Sequence, residues 1–375
     1  MTHAQPDPAS VPAAPRAEVV GSLLRPDWLK EAFANAERGA ISAGELAEFQ
    51  DRAAMDAIDL QESAGIDVIT DGEVRRRAWF DPLTASLSGY TTDVSAPVPF
   101  SAGAGKAADA PPVLPVPTHH LGLRRNLPLQ EVRFVQQHSQ SPVKATMPGM
   151  TYASVLYVPG QSDTAYPDRD AYMADALRLM RGIVRELVDA GVRYIQLDSP
   201  RYTHMVSEEG RANLRRVGLD TETWLGQMIA IDNALMEGFD EVIWAVHLCR
   251  GNHRSMWSVE GGYDAIAEQL FTTLHATRIL AEYDSPRAGS FEPLRFVPQD
   301  KTVVLGLITT KQPDLEDAGE VKHRIDEAAR FMPLDRLALS PQCGFASTLP
   351  GNKVTEADQR AKLELVGSVA RDVWH

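Results

Sequence analysis

The sequence predicts an α/β protein built as a single (β/α)8 TIM barrel. The chain has 375 residues, which suits one large barrel or two smaller domains. Short apolar runs typical of buried strands alternate along it with longer segments of helical spacing. This alternation predicts a parallel sheet covered by helices, and eight such units favour closure into a barrel. A doubly wound open sheet is the alternative, but no glycine-rich dinucleotide fingerprint follows the first apolar run.

The predicted strands are near-continuous apolar runs, as expected where both faces of a sheet are buried. In chain order they cover 17–23, 67–72, 142–147, 194–198, 242–246, 278–283, 302–308 and 336–340. Helices are predicted after Asp27 and over 42–63, 169–190, 221–236, 263–275, 318–331 and 355–373, from apolar periodicity and from end signals. Residues 17–375 are therefore assigned to one barrel domain.

Two segments depart from this alternation. Residues 1–16 are rich in proline and alanine and lack the apolar core of a signal peptide, which predicts a disordered tail. Residues 81–141 are rich in Pro, Gly, Ala and Ser and are too long for a simple loop. We interpret them as an insertion between the second and third strands. It is expected to carry a β-hairpin, flexible turns and short extended pieces such as 131–135. One role for this insertion would be that of a lid over the active site.

Composition restricts the classes of partner and the compartment. The net charge of −14 argues against binding to nucleic acid or to an anionic membrane, since both require a basic surface. No apolar stretch reaches the length of a membrane span. The two cysteines do not make a disulfide scaffold, which predicts a cytoplasmic protein with reduced thiols. The sequence leaves a homo-oligomer open.

The strongest chemical signal is the segment His247-Leu248-Cys249 at the end of the fifth predicted strand. Residues i and i+2 of a strand share a face, so the imidazole and the thiol can point at one spot. Active sites of such barrels lie at the C-terminal strand ends, where Glu282 and Cys343 also lie. Zinc accepts this mixture of ligands in a tetrahedron. The alternative for each cysteine is a small buried hydrophobe.

The composition of this set favours one kind of chemistry. Two thiolates and a carboxylate would over-neutralise the ion, which keeps a further bound thiolate nucleophilic and disfavours a strongly acidic metal-bound water. Zinc would also lower the pKa of a substrate thiol from about 8.5. The predicted site is therefore better suited to activating a thiol than to hydrolysis.

Further charged and aromatic residues follow the strands. Glu73 and Asp198 could bind a substrate ammonium or act as general acid and base, with a salt bridge or a helix N-cap as the alternative. Trp79 and Phe80 are candidates for packing at the rim, and His204 for a supporting role. A group of arginines near the strand ends could form an anion site, although solvation is the alternative for each of them: Arg75, Arg76, Arg77, Arg201, Arg250 and Arg254.

In these motifs the chain resembles the catalytic C-terminal half of cobalamin-independent methionine synthase, within the wider group of zinc-dependent thiol-alkylating barrels. The resemblance covers almost the whole chain, in family order. It rests on Val20-Gly21-Ser22, Asp71-Gly72-Glu73, residues 195–200, His247-Leu248-Cys249, Leu280-Ala281-Glu282 and residues 340–344. The combination is specific, although no single piece is.

The resemblance implies a methyltransferase of methionine biosynthesis, similar to 5-methyltetrahydropteroyltriglutamate–homocysteine S-methyltransferase. A methyl group would pass to a Zn²⁺-bound thiolate by direct displacement. Glu73 and Asp198 would hold the amino group of an amino-acid thiol such as homocysteine, and Ser22 its carboxylate. The implied zinc ligands are His247, Cys249, Glu282 and Cys343.

The methyl donor stays open because full-length family enzymes have an additional N-terminal barrel that helps to bind methyl-folate polyglutamate. That barrel is not among these residues, so the donor could be methyl-folate, a methylated corrinoid protein or methylcobalamin. One alternative function is alkyl transfer to another thiol, as in the relatives that open epoxides. Another is a structural zinc barrel without catalysis. The cysteine pair argues against a third, a metal-independent decarboxylase on the related porphyrin-processing barrel.

Overall fold

The centre of the molecule is a parallel β-sheet. The computed structural model describes residues 15–96 and 114–375, and its elements are labelled in chain order. The strands are β1 (Leu87–Ala96), β2 (Leu114–Leu123), β3 (Ala145–Pro148), β4 (Tyr194–Asp198), β5 (Ile243–Leu248), β6 (Arg278–Glu282), β7 (Thr302–Ile308) and β8 (Leu337–Pro341). From β3 to β8 each strand pairs in parallel with the next, so predicted strands three to eight are all found.

Helices occupy most of the connections. They are α1 (Asp27–Glu37), α2 (Ala43–Ala64), α3 (Asp81–Thr84), α4 (Leu127–His138), α5 (Met150–Ser154), α6 (Arg169–Asp189), α7 (Glu208–Arg216), α8 (Trp224–Met236), α9 (Asp264–Thr273), α10 (Ala318–Ala328) and α11 (Glu356–Trp374). The long predicted helices are found with ends shifted by a few residues. At the start of α2, for example, Ser42 and Glu45 form a capping box. Within the described ranges, no helix is both long and apolar enough to cross a membrane.

Two short extended stretches join the edges of this sheet and close the barrel. The parallel bridges are Ala17 with Leu339, Glu18 with Val68, and Ile69 with Val143. The first two predicted strands are therefore much shorter than expected. The second ends early because Gly72 and Glu73 have φ values of 73° and 54°, which take the chain out of the extended conformation. The predicted (β/α)8 fold class is confirmed, with two of its strands reduced to bridges.

The barrel interior is a packed core. One apolar cluster takes one member from each strand segment of the ring except β3: Val20, Val68, Tyr194, Ala245, Leu280, Val304 and Ala338. Beneath it, Glu18 accepts hydrogen bonds from Lys144 Nζ, Tyr194 Oη and Arg278 Nη2, each at 2.7 Å. Burial alone would raise the pKa of Glu18, but the charges of Lys144 and Arg278 lower it to about 2. The interior is thus filled by apolar side chains and one satisfied ionic network.

The insertion differs in part from its prediction. The expected hairpin is present, because β1 and β2 pair antiparallel. The expectation of an extended piece at 131–135 is wrong, since these residues lie in α4. Leu129, Val132 and Val135 are buried on one face of that helix, and the Asn126 side chain caps its N-terminus. The run is too short for its alternation to distinguish a strand from a helix. Residues 97–113 lie outside the described ranges, and a lid remains a prediction.

The predicted tail boundary is wrong at its last residues. Arg16 belongs to the barrel, because its backbone N–H donates to Asp67 Oδ2 at 2.7 Å. Its guanidinium donates to the carbonyls of Asp335 and Leu337 at the base of β8. Residues 1–14, the rest of the predicted tail, lie outside the described ranges.

Candidate active site

The C-terminal ends of the strands surround a cavity, as the barrel fold predicts. Six of the seven residues predicted as metal ligands or substrate-binding groups line this cavity, namely Ser22, Glu73, Asp198, His247, Cys249 and Cys343. The seventh, Glu282, ends β6 and is fully buried next to the same group. The structure therefore brings these seven residues to one place, although they come from the ends of several strands.

Four of these residues form a group that could hold a metal ion. The ligand atoms of His247, Cys249, Glu282 and Cys343 all lie within 4.8 Å of one another, and all four residues are buried. Cys249 Sγ is 3.6 Å from Cys343 Sγ. Two thiolates about 2.3 Å from one tetrahedral zinc lie roughly 3.8 Å apart, so the observed spacing fits. Neither ring nitrogen of His247 has a hydrogen-bond partner among the described residues, which leaves a buried nitrogen for the ion.

The two thiols share a hydrogen bond. The hydrogen bond between them lowers the pKa of Cys343 well below its ordinary value and raises the pKa of Cys249 well above it. Burial disfavours charge on His247, but the neighbouring Cys343 and the carboxylates of Asp198 and Glu282 raise its pKa overall. Negative charge is thus concentrated at this end of the cavity, where a cation would be favoured.

Neighbouring groups hold Glu282 in place. Its Oε1 accepts from the backbone N–H of Arg250 at 2.8 Å, and its Oε2 accepts from Arg287 Nη2 at 3.3 Å. Tyr263 Oη accepts from the Glu282 backbone N–H at 3.0 Å. Partners of this kind orient a ligand and tune its basicity. The carboxylate is therefore held at a defined position before any ion binds.

Lys311 is a site residue that the sequence reasoning missed. It follows β7, and its Nζ donates to Asn252 Oδ1 at 2.9 Å and to the Gly251 carbonyl at 3.2 Å. Burial lowers the pKa of Lys311, while the nearby charges of Glu282 and Cys343 oppose that shift. Lys311 could have been predicted from its position directly after the C-terminal end of the seventh predicted strand, because side chains at these strand ends reach the site of a barrel.

Glu73 is positioned by a buried polar network. Its Oε1 accepts from Thr146 Oγ1 at 2.6 Å and lies 3.1 Å from Arg76 Nη1. Its Oε2 is buried without a hydrogen-bond partner among the described residues. A Cβ on Gly21 would clash with the Glu73 carboxylate, so glycine there lets the carboxylate keep this position. One carboxylate oxygen is thus held by the protein, and the other is left for a ligand.

Asp198 provides a second carboxylate at the cavity wall. Its Oδ1 accepts from Gln196 Nε2 at 2.8 Å. Burial, together with the charge of Glu73, raises the pKa of Asp198 to about 7. A bound cation near both carboxylates would reverse this effect, since it favours their charged forms. The pair is therefore an electrostatic site for a positively charged group.

Ser22 lies where the first and eighth strand segments meet. Its carbonyl accepts from the backbone N–H of Phe345 at 2.7 Å. A Cβ on Gly344 would clash with Ser22 Oγ, so the close approach of the two segments requires glycine. The Ser22 side chain is placed on the cavity wall by these contacts.

The predicted arginine cluster is not one site. Arg76 forms a bidentate ion pair with Glu131 of α4, at 2.7 and 2.6 Å. Arg75 pairs with Asp51 and Arg77 with Glu37, while Arg250 donates to backbone carbonyls. Of the six arginines, Arg201 is the one that lines the cavity. Side chains adjacent in sequence here point to different neighbours, so the expectation of one shared anion site is wrong.

Aromatic rings form another part of the cavity wall. Tyr152 of α5 stacks on Phe80 with ring centroids 5.2 Å apart and contacts Trp79 edge-on at 4.6 Å. The Trp79 backbone N–H donates to the Ser347 carbonyl, which ties this segment to the loop after β8. Tyr152 was missed in the sequence because it follows a short strand in a helix of five residues.

Comparison with known proteins agrees with this architecture. A family model described as cobalamin-independent synthase, catalytic domain, matches residues 17–363. The chain belongs to this family. It is 37% identical over 365 residues to the uncharacterized protein YxjH of Bacillus subtilis, a match that covers 96% of this chain and 94% of the relative. It is 24% identical over 329 residues to a methionine synthase of Pyrococcus abyssi, covering 87% of this chain and 85% of the relative.

A solved structure shares the fold. The B12-independent methionine synthase from Shewanella sp. W3-18-1, solved in complex with selenomethionine, superposes with a TM-score of 0.74 at 20% identity. The match covers 96% of this chain and 98% of that chain. The family resemblance stated from the sequence is therefore confirmed, and with it the assignment to methyltransferases of methionine biosynthesis.

Proposed function

We propose that this protein is a zinc-dependent methyltransferase that methylates the thiol of homocysteine. The observation that carries the proposal is the convergence of four buried ligand atoms within 4.8 Å, beside two carboxylates in the same cavity. The metal group suits a thiol, and the carboxylates suit an ammonium group. An amino-acid thiol carries both.

Zinc would be held by the imidazole of His247, the thiolates of Cys249 and Cys343 and the carboxylate of Glu282. When bound, it lowers the pKa of a substrate thiol from about 8.5, so that thiolate forms near neutral pH. The backbone N–H of Arg250 and the guanidinium of Arg287 keep one of the four donors, the Glu282 carboxylate, in position. This support reduces the reorganisation that metal and substrate binding require.

Substrate orientation is assigned to three further residues of the cavity. Glu73 offers its free Oε2, and Asp198 a carboxylate, to the ammonium group, while Ser22 Oγ is placed to donate to the substrate carboxylate. A hydrogen bond to a charged group contributes about 1.5–3 kcal/mol. Two such contacts place the sulfur relative to the donor, which lowers the entropic part of the barrier.

The transfer is a direct displacement. The substrate sulfur uses a lone pair to form the new S–CH₃ bond while the bond between methyl and donor breaks, and that bonding pair stays on the donor. The thiol proton has left beforehand, as the thiolate formed. The rings of Trp79, Phe80 and Tyr152 restrict water at the cavity wall, which protects the thiolate from solvation. Methyl-folate and methyl-corrinoids are the donor classes to compare.

The test is a methyl-transfer assay on the full chain. Protein loaded with zinc is incubated with homocysteine and, in turn, methyl-folate and methylcobalamin, and methionine is measured by mass spectrometry. We expect methionine with at least one donor, and proton release when homocysteine alone is added. Removal of zinc by a chelator should abolish turnover, and added zinc should restore it. Full activity of the metal-free protein would overturn the proposal.

A second candidate function is alkyl transfer to a thiol that lacks an amino group. The observation that favours it is Arg201, a cation in the cavity that suits an anionic thiol. Homocysteine and 3-mercaptopropionate are compared as acceptors with a methyl donor and with a small epoxide. A preference for mercaptopropionate with the epoxide would favour the second function. A preference for homocysteine with the methyl donor would favour the first.

A further inference from the structure

Arg201 is a buried cation on the wall of the cavity. The residue follows β4 and is only 7% exposed, yet it lines the space in which the substrates would meet. Within residues 15–96 and 114–375, no carboxylate forms an ion pair with it, and the titratable groups beside it include the phenol of Tyr152 and the thiol of Cys249. This distinguishes Arg201 from Arg76 and Arg75, which both pair with acidic side chains. Its charge is therefore not balanced by a neighbouring carboxylate.

The neighbour of Arg201 does not neutralise it. Arg201 Nη1 lies 3.0 Å from His204 Nε2. A guanidinium can only donate, so Nε2 must accept and the ring proton is on Nδ1. Burial, together with the charge of Arg201, holds the pKa of His204 well below its ordinary value, which keeps the imidazole neutral. The pair therefore has one full positive charge.

Unused hydrogen-bonding groups surround this charge. Arg201 Nε and Tyr152 Oη are buried without hydrogen-bond partners among the described residues. The Arg201 guanidinium lies 6.0 Å from the centre of the Tyr152 ring, so these groups belong to one part of the cavity. Buried polar groups are normally paired, and a buried charge without a counter-ion is strongly unfavourable. A ligand that supplies an anion would satisfy them.

We propose that Arg201, with His204 and Tyr152 beside it, is a subsite for a carboxylate carried by one of the two substrates. The inference rests on the proposed methyl transfer, because it assigns a second point of recognition within the same cavity. A planar carboxylate matches the fork of the guanidinium. Two sources share this chemistry: the carboxylate of the acceptor thiol and a carboxylate of the methyl donor.

The first arm of the test examines the acceptor. Calorimetry on the zinc-loaded protein compares homocysteine with 3-aminopropane-1-thiol, which has the same thiol and amine but no carboxylate. If the acceptor supplies the anion, Arg201→Gln weakens homocysteine binding by about 10-fold or more and changes binding of the aminothiol by less than about 2-fold. Arg201→Lys keeps the positive charge but loses the planar fork of the guanidinium. Its affinity for homocysteine should lie between the affinities of wild type and Arg201→Gln.

The second arm examines the donor in the same way. Binding of methyl-folate is compared with binding of its diester in wild type and in Arg201→Gln. If the donor supplies the anion, the loss of about 10-fold or more appears with methyl-folate and is absent with the diester. His204→Asp provides an independent variant, because it places a carboxylate on Arg201. His204→Asp should reproduce the loss of affinity for the carboxylated ligand without removing the guanidinium.

The outcomes separate this inference from the proposed function. If wild type methylates homocysteine but Arg201→Gln binds both carboxylated ligands as wild type does, the subsite is overturned and the function stands. If wild type binds neither carboxylated ligand more tightly than its carboxylate-free partner, the subsite is also overturned. If the carboxylate-dependent loss occurs but no donor yields methionine, the subsite stands and the proposed function fails. Circular dichroism and thermal unfolding of each variant confirm that it is folded.

Discussion

Cys249 and Cys343 are 94 positions apart in the chain, and their sulfur atoms are 3.6 Å apart. The first follows β5 and the second follows β8, at the same end of the barrel. Their sulfurs meet because the C-terminal ends of all barrel strands converge around one mouth. This sulfur–sulfur distance supports the proposed zinc site, in which both thiolates bind one ion.

Replacing Cys343 should weaken metal binding and abolish methyl transfer. Zinc prefers thiolate ligands, and the pKa of Cys343 is lowered, which favours its thiolate form. Serine removes this thiolate, so the zinc affinity of Cys343→Ser should fall by more than about 100-fold. Zinc content is measured by plasma mass spectrometry after dialysis against a competing chelator. Ser347→Ala is the control, because Ser347 Oγ contacts Cys343 Sγ at 4.0 Å but is outside the group of four. Full zinc retention by Cys343→Ser would contradict the proposed ligand set.

Glu73→Gln should impair acceptors that carry an amino group. The charge of Glu73 attracts the ammonium, so we expect the KM for homocysteine to rise by about 10- to 100-fold. The KM for 3-mercaptopropionate, which has no amino group, should change little. Glu37→Gln, at an exposed glutamate paired with Arg77, serves as the matched control. An equal loss with both thiols would mean that the substitution damages the cavity in general and would contradict the assigned role.

Gly21→Ala should disable the site while leaving the barrel folded. The new methyl group would clash with the Glu73 carboxylate, which would have to leave its contacts with Thr146 and Arg76. We expect kcat/KM for homocysteine to fall by about 10-fold or more, since even small displacements of positioning groups slow a reaction.

Gly182→Ala is the control for that substitution. Gly182 lies in α6, and a Cβ there would meet no atom within 4 Å. Alanine should stabilise this helix by up to about 1 kcal/mol and leave kinetics unchanged. Chemical denaturation and steady-state assays are made on both variants. Wild-type kinetics in Gly21→Ala would show that Glu73 does not depend on this glycine.

The buried Glu18 network should make stability depend on acid pH. The folded pKa of Glu18 is lowered to about 2 by Lys144 and Arg278, below an unfolded value of 4.5. Its contribution is therefore complete above about pH 4.5 and is lost as the pH falls toward 2. The size is on the order of 3 kcal/mol. Urea denaturation at a series of pH values should show this slope.

The Glu18→Gln variant tests that assignment. It should be strongly destabilised near neutral pH, because it leaves two buried cations without their counter-ion. The destabilisation relative to wild type should shrink as the pH is lowered through the same range. Asp372→Asn, at an exposed ion pair with Lys322, should leave stability nearly unchanged at every pH. A Glu18→Gln deficit that does not vary with pH would contradict the shifted pKa.

Much of the site could be predicted from the residues at the C-terminal ends of the strands alone. His247 and Cys249 share a face because strands have a period of two residues, and Glu282 and Cys343 end strands that converge on the same mouth. The sequence did not predict which partners the side chains beyond the strand ends would have. Arg75, Arg76 and Arg77 follow one another, yet each has a different partner, because the positive φ of Glu73 turns the chain before them.

The sequence by itself determined the fold class and brought the predicted metal ligands and carboxylates to one mouth, because apolar periodicity and barrel topology are local or general rules. The resemblance of its motifs indicated the family. Only the tertiary structure decided which charges are balanced. Glu131 and Arg76 are 55 positions apart and form a pair through the helix of the insertion, whereas Arg201 meets a neutral histidine and, in the part of the chain that the structure describes, no carboxylate. The physical reason is that the energy of a buried charge depends on which groups lie within a few ångströms, and that depends on how separate segments pack.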